Sequence, residues 1–428
     1  MIKTEEIKAL LEKDPEVSAY EIKAVENEGK QLYYVLGKLE TSRAVSSEDI
    51  RVSVYHDFET FRGSSNFNVT ANDDAESIAA KIRDCVAKAK QVKNPYYPLA
   101  ENQKSVQDKK ELKEKVSASL KNVADALFAA NHFANTDMNA TEIFADVDHV
   151  RFLNSNGVFH SYDKLSLFIE SIPSYNAEED EYELYFSTRK GSFSCEGLTE
   201  EMEEELKNVR YRAEAKTLKE VDLPANIPVV VKSSMIGYLM GYFASQLSYQ
   251  STYYQSNHFK VGDVVSQKPF SLTLKGEEEG ALASSPIDEN GLHLGQTKVI
   301  DKGVAAARWG DLRFGTYLKE EQITGNYHVI VMDEYEPISE EEFAQPHITI
   351  MNFSAPQLDD SSGYFGGEVR LALYENKGEI IPLTGFSISG NIFEAIHTAE
   401  FSEECEVSNG RISFKGPKYL ILKNMSIH

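Results

Sequence analysis

One segment constrains the fold more than any other. Val229 to Gln250 reads VVVKSSMIGYLMGYFASQLSYQ, a short run of β-branched residues followed by a helix-length apolar stretch. On a helix, Met235, Ile236, Leu239, Met240, Phe243 and Leu247 spread around much of the circumference. A helix of that kind has to be buried on more than one side. Either one large domain encloses it or a second chain covers part of it. Tyr249, Tyr253 and Tyr254 follow at once and add amphipathic area of the kind enriched at interfaces. The strongly apolar run, Ile236 to Ala244, is too short to span a bilayer.

The chain's 428 residues suffice for two or three domains with a substantial core. A net charge of −24 argues against nucleic-acid or anionic-membrane partners, because phosphates are neutralised by clustered Lys and Arg. Cys85, Cys195 and Cys405 are few, odd in number and far apart, so no disulfide framework is expected. The opening MIKTEEIKALLEKD alternates charged and apolar residues and has no apolar signal core. The expected location is the cytoplasm.

The first half carries one pattern twice: helix, three strands, helix. In the first unit, about residues 1–95, a helix at Thr4 to Lys13 precedes an extended run from Ser18 to Glu26. A turn is expected at Asn27-Glu28-Gly29, then strands from Gln31 to Ser42 and Ile50 to Phe58, and a helix from Ala75 to Lys90 capped by Asn72-Asp73-Asp74. The second unit, about 104–217, opens with a charged helix from Lys104 to Asn131. Strands are expected at Thr141 to Asn154, Val158 to Ile172 and Tyr182 to Lys190, with a hairpin turn at Asn154-Ser155-Asn156-Gly157, and a closing helix from Leu198 to Lys216. Val221 to Pro228, with two prolines, reads as a linker. Beyond Lys260, extended runs separated by Gly, Asn and Asp dominate. The expected class is α+β: a duplicated α/β region over 1–220, then a β-rich domain over 221–428.

No nucleophile elbow, phosphate-binding loop or dinucleotide fingerprint is present. His258, His293, His328, His347 and His397 are scattered and show no metal-ligand spacing. Cys85 reads as a core residue inside an amphipathic helix, Cys195 as inert beside a turn, and Cys405 as a thiol held protonated by acidic neighbours. The acidic runs 277–279 and 340–342 read as solvated surface. Gly237 and Gly241 share one helix face and permit close packing.

Several ordered patterns resemble the TldD/PmbA family, whose members carry the names modulator of DNA gyrase and peptidase. These are GKLETSRAVSSEDIRVSVYHD; FLNSNGVFHSYDKLSLFIES; Asp288, Gly291, Thr297 and Gly303 in PIDENG…TKVIDKGV; Thr324-Gly325-Asn326; and ISGNIFEA with Gly416-Pro417 near the end. The resemblance implies a zinc peptidase fold in which the Val229–Gln250 helix carries H-E-x-x-x-H. Gly237, Tyr238 and Tyr242 stand where His, Glu and His would, with Gly241 beside them. Cys405 lies in the region of the family's remaining ligand but lacks the Gly-Lys that follows it there. The resemblance therefore favours the PmbA/TldE side. It implies a chain with no metal or other cofactor and no catalytic residue, inactive alone. Such a chain dimerises with itself or with a zinc-bearing TldD-like paralogue and helps form a peptide cleft lined by the degenerate helix. The alternative is an independent homodimer that binds a peptide or small ligand without chemistry.

Overall fold

The computed structural model describes residues 3–107, 112–177, 180–359, 361–410 and 412–428. Among these the strands form three sheets, of nine, nine and six strands.

The duplicated half builds the first sheet. Its two units meet through their first long strands: Ala19–Val35 pairs antiparallel with Thr136–Asn154, with Glu28 opposite Val147 near the middle. Lys38–Asp57 and Phe61–Val69 extend one side, Phe159–Asn176 and Phe186–Lys190 the other. Strand side chains alternate between faces. Ile22, Ala24 and Leu32 all point to the face that carries the helices Thr4–Lys13, Ala75–Ala89, Leu112–Ala129 and Leu198–Glu214. Their apolar stripes, such as Ile78, Ile82, Cys85 and Val86, close that face. Asp74 caps its helix by accepting from the Ser77 amide at 2.9 Å.

Three local expectations are corrected. Asn27-Glu28-Gly29 is not a turn but continuous strand. Gly29 is there because a Cβ would lie 2.0 Å from the Asp146 carboxylate on the neighbouring strand. The chain instead reverses at Leu36-Gly37, both at positive φ (47° and 72°), the twisted two-residue turn that hairpins favour. Lys104–Gln107 is a strand parallel to Phe159–Asn176 rather than the start of a helix; residues 108–111 of the expected helix lie outside the described residues. The single strand expected from Tyr182 to Lys190 is two, Glu181–Glu183 and Phe186–Lys190.

The second half is β-rich, as its texture implies. Two sheets enclose Ser233–Ser245, the helix of the opening segment. Ile236, Leu239, Met240 and Phe243 are each fully buried in the domain's own core. The helix is thus enclosed by its own domain, so its apolar circumference supplies no reason for a second chain. No helix among the described residues is long and apolar enough to cross a membrane.

The halves join on the sheet face opposite the helices. There Val25, Val150, Phe152 and Tyr162 receive Ile287 from the second half. Gly291, at φ 78°, lets the same loop press on Phe152, whose ring would lie 2.2 Å from an added Cβ. Gly291→Ala combines a left-handed strain with that clash. It is expected to cost about 2–3 kcal/mol, read as a lower urea midpoint with little change in slope.

Candidate functional site

The helix Ser233–Ser245 approaches the strand Ser413–Pro417 at two glycines. A Cβ on Gly237 would sit 2.7 Å from Phe414 Cβ, and one on Gly241 would sit 2.1 Å from Ile412 Cδ1. Phe414 is fully buried, so the place a side chain at 237 would take is already filled. Tyr242 is buried with its ring 5.6 Å from that of Phe393. Tyr238, half-buried, supplies no metal donor that zinc favours. Cys405 lies on the strand that meets the helix's first turn, where the Ser233 hydroxyl donates to the Glu406 carboxylate. Tyr242 is nine residues further along, about 13 Å at 1.5 Å per residue. Zinc does not fit this helix, on the chemistry and packing of the residues present. Among the described residues, no group of three or more His, Cys, Asp or Glu is arranged to hold a metal ion.

Of the signature positions, Asp288 and Gly291 lie at the junction of the halves, tied to Thr324-Gly325-Asn326, while Thr297 and Gly303 lie within the second half. The buried Asp288 carboxylate accepts from the backbone amides of Asn290 (3.0 Å), Leu292 (2.9 Å) and Asn326 (3.3 Å). It thereby ties the 286–294 loop to Thr324-Gly325-Asn326. Burial still pushes its pKa up to about 6, against those three donors. Gly325, at φ 88°, leaves room for Leu294, and the Thr324 hydroxyl accepts from the Gly310 amide at 3.1 Å. Thr297 bonds Tyr327 at 3.0 Å, and Gly303 turns tightly over the Ser266 carbonyl. Asp288, Gly291 and Thr324-Gly325-Asn326 build and dock the loop, and Thr297 and Gly303 make local contacts in the second half; their geometry is structural.

The first sheet contributes groups that sequence reasoning missed. Glu21, 5% exposed, accepts from Tyr55 Oη at 2.6 Å and from Asn290 Nδ2 at 3.4 Å, while its Oε1 has no partner among the described residues. Burial raises its pKa to about 7; Tyr55 and Asn290 oppose the rise, Asp288 adds to it and Arg62 opposes it. His160 lies against the Gly291 carbonyl at 3.1 Å. Both acidic runs have local roles: Glu278 holds Lys275 at 2.8 Å and Lys415 at 2.6 Å, and Glu342 completes the cap at Ser339.

Beside the motif helix, between the halves, lies a cavity of about 460 Å³. Gly241, Ile330 and Ile412 line it with Trp309 and Tyr327, and Lys164 of the first sheet and His328 contribute the charged groups. Of the four helix positions singled out in the sequence, Gly241 reaches this cavity.

The comparisons agree with this architecture. Residues 224–428 match the model of the PmbA/TldA metallopeptidase C-terminal domain. The C-terminal half of this chain belongs to the PmbA/TldD family. No curated relative matches the sequence. The fold of the whole chain is similar to that of TldE from Thermococcus kodakarensis, with 15% identity, 99% of each chain covered and a TM-score of 0.80. Two proteins named as candidate modulators of DNA gyrase share it too. The one from Thermotoga maritima is 16% identical, with 99% of this chain and 100% of the other covered and a TM-score of 0.75. The one from Bacteroides thetaiotaomicron is 14% identical, with 100% and 99% covered and a TM-score of 0.77. At such identities the likeness establishes the family's fold over the full length.

Glu21 makes stability depend on pH. Its folded pKa, about 7, lies above the ordinary 4.5, so the folded state binds the proton more tightly. The contribution is full below about pH 4.5 and is lost as pH rises through about 7. At about 1.4 kcal/mol per pKa unit, the loss is about 3 kcal/mol. Glu21→Gln is expected to stabilise the protein by up to that amount at pH 8 and to change little at pH 4.5, as measured by urea unfolding at both values.

Proposed function

We propose that this chain is a non-catalytic, PmbA/TldE-like subunit of a TldD/PmbA-type metallopeptidase pair. In this reading it dimerises with a zinc-bearing TldD-like paralogue and helps shape a peptide-binding cleft. Its halves divide near residue 220, and the cleft runs where they meet. One observation carries the reading. The helix that bears the zinc motif in the family has Gly237, Tyr238 and Tyr242 in the ligand places, and Phe414 and Ile412 fill the space against it. Peptide hydrolysis by this family's chemistry needs a metal to polarise the carbonyl and activate water. Among the described residues no donor set replaces it.

An exposed aromatic group supports the dimer part. Tyr253 and Tyr254, 39% and 59% exposed, lie with ring centroids 5.4 Å apart; Tyr253 packs on Tyr317 at 5.2 Å and Tyr254 on Phe314 at 5.6 Å. Tyrosines of this kind are enriched among residues that dominate binding energy. A charge of −24 gives the gyrase name of relatives no support as direct DNA binding here.

Reconstitution tests the proposal. The chain alone is expected to turn over no peptide, and adding the zinc-bearing paralogue is expected to give chelator-sensitive cleavage faster than the paralogue alone. Tyr253→Ala with Tyr254→Ala is expected to weaken the pairing at least tenfold in sedimentation. Chelator-resistant cleavage by the highly purified single chain, or paralogue activity indifferent to this chain, would defeat the reading.

A further inference from the structure

The cavity beside Gly241 is apolar in most of its lining, and the polar groups around it are already occupied. Trp309 Nε1 donates to the Ala244 carbonyl at 2.7 Å. Tyr327 Oη is engaged by Thr297 at 3.0 Å. The Asn409 amide spends its donors on the Arg189 and Gly280 carbonyls, at 2.9 and 3.0 Å, and its oxygen accepts from the Leu282 amide at 2.8 Å and the Ser413 hydroxyl at 2.7 Å. His328 is held by Glu289 through a hydrogen bond and ion pair. Lys164 is different. It stands half-buried on the junction face of the first sheet, and among the described residues no acceptor lies within hydrogen-bond or ion-pair distance of its Nζ. Asp148, its cross-strand neighbour, acts on it through the field alone, while burial and the nearby Lys23 work against its charge. A buried cation without a partner is costly, and a ligand that supplies one recovers that cost.

We propose that this cavity binds an apolar molecule ending in a single carboxylate, with the carboxylate on Lys164 and the apolar body against Gly241, Ile330, Ile412 and Trp309. The volume lies within the range of small-ligand sites, roughly 300–1,000 Å³. Taking that molecule to be the C-terminal residues of a peptide deepens the cleft reading above and rests on it; the carboxylate chemistry of the cavity does not. A charge-assisted bond to the free carboxylate distinguishes this ligand from its neutral amide.

Trp309 is the chain's single tryptophan and lines the cavity, so its emission reports occupancy directly. N-acetyl-Leu-Leu with a free carboxylate, titrated into the full chain at pH 7, is expected to shift Trp309 emission saturably. Its C-terminal amide is expected to bind at least tenfold more weakly, and Lys164→Met to bring the acid down to the level of the amide. Lys164→Gln serves as a second variant, and a retained melting transition certifies either. If 4-methylpentanoate binds as tightly as the peptide acid, the carboxylate site stands and the peptide reading of the cleft loses its support. No emission change with either acid, equal affinity for acid and amide, or unchanged acid binding by a folded Lys164 variant would overturn the proposal.

Discussion

The close approach of one helix to one strand governs the second half. Gly237 and Gly241 let Ser233–Ser245 settle onto Phe414 and Ile412 with no side chain between. That contact buries a helix that is apolar on most of its circumference, and it lets two sheets share one core. It also leaves no place for a long side chain at 237. A ligand helix must hold its donors off the backbone, in a space that the rest of the site keeps open. Here the same helix has become a packing element. Tyr242, turned into the aromatic group with Phe393, belongs to that core.

The second constraint is the junction. The 286–294 loop is stabilised by a buried carboxylate that accepts backbone amides from its own turn and from Asn326. It presents Ile287 and Gly291 to a sheet face that also bears Glu21, His160 and Lys164. A face of this composition needs a cover, since isolated buried charges are costly unless they are paired or neutralised. Asn290 and the Gly291 carbonyl supply part of it. Among the described residues Glu21 Oε1 and the Lys164 ammonium are left over, one drawing a proton and the other facing the cavity.

Much of this was legible in the residues. The hairpin at Asn154–Gly157 and the β-rich texture of the second half follow from turn chemistry and periodicity, whereas the apolar circumference of the Val229–Gln250 helix fitted enclosure by one domain and cover by a second chain equally well. The misread turn at Asn27-Glu28-Gly29 has a physical cause: a glycine needed for a close cross-strand approach has the same letters as a glycine needed for a turn. Glu21 and Lys164 went unnoticed because charged residues alternating with apolar ones read as a solvent face. Only the docking of the second half turns that face inward. The packing of Phe414 on Gly237 joins segments far apart in the chain, which no local pattern reports. The signature residues Asp288, Gly291 and Thr324 were legible as a pattern, but their role in holding the junction arises only from the folded contact between the two halves.

The motif helix packs against Phe414 and Ile412 as a structural element and not as a metal site. Metal analysis of the full chain, purified without chelator and dialysed against micromolar zinc, tests it most directly. Far less than one zinc per chain is expected, unchanged by substituting Tyr242 or Cys405. One tightly held zinc per chain, lost on substituting either residue, would contradict it.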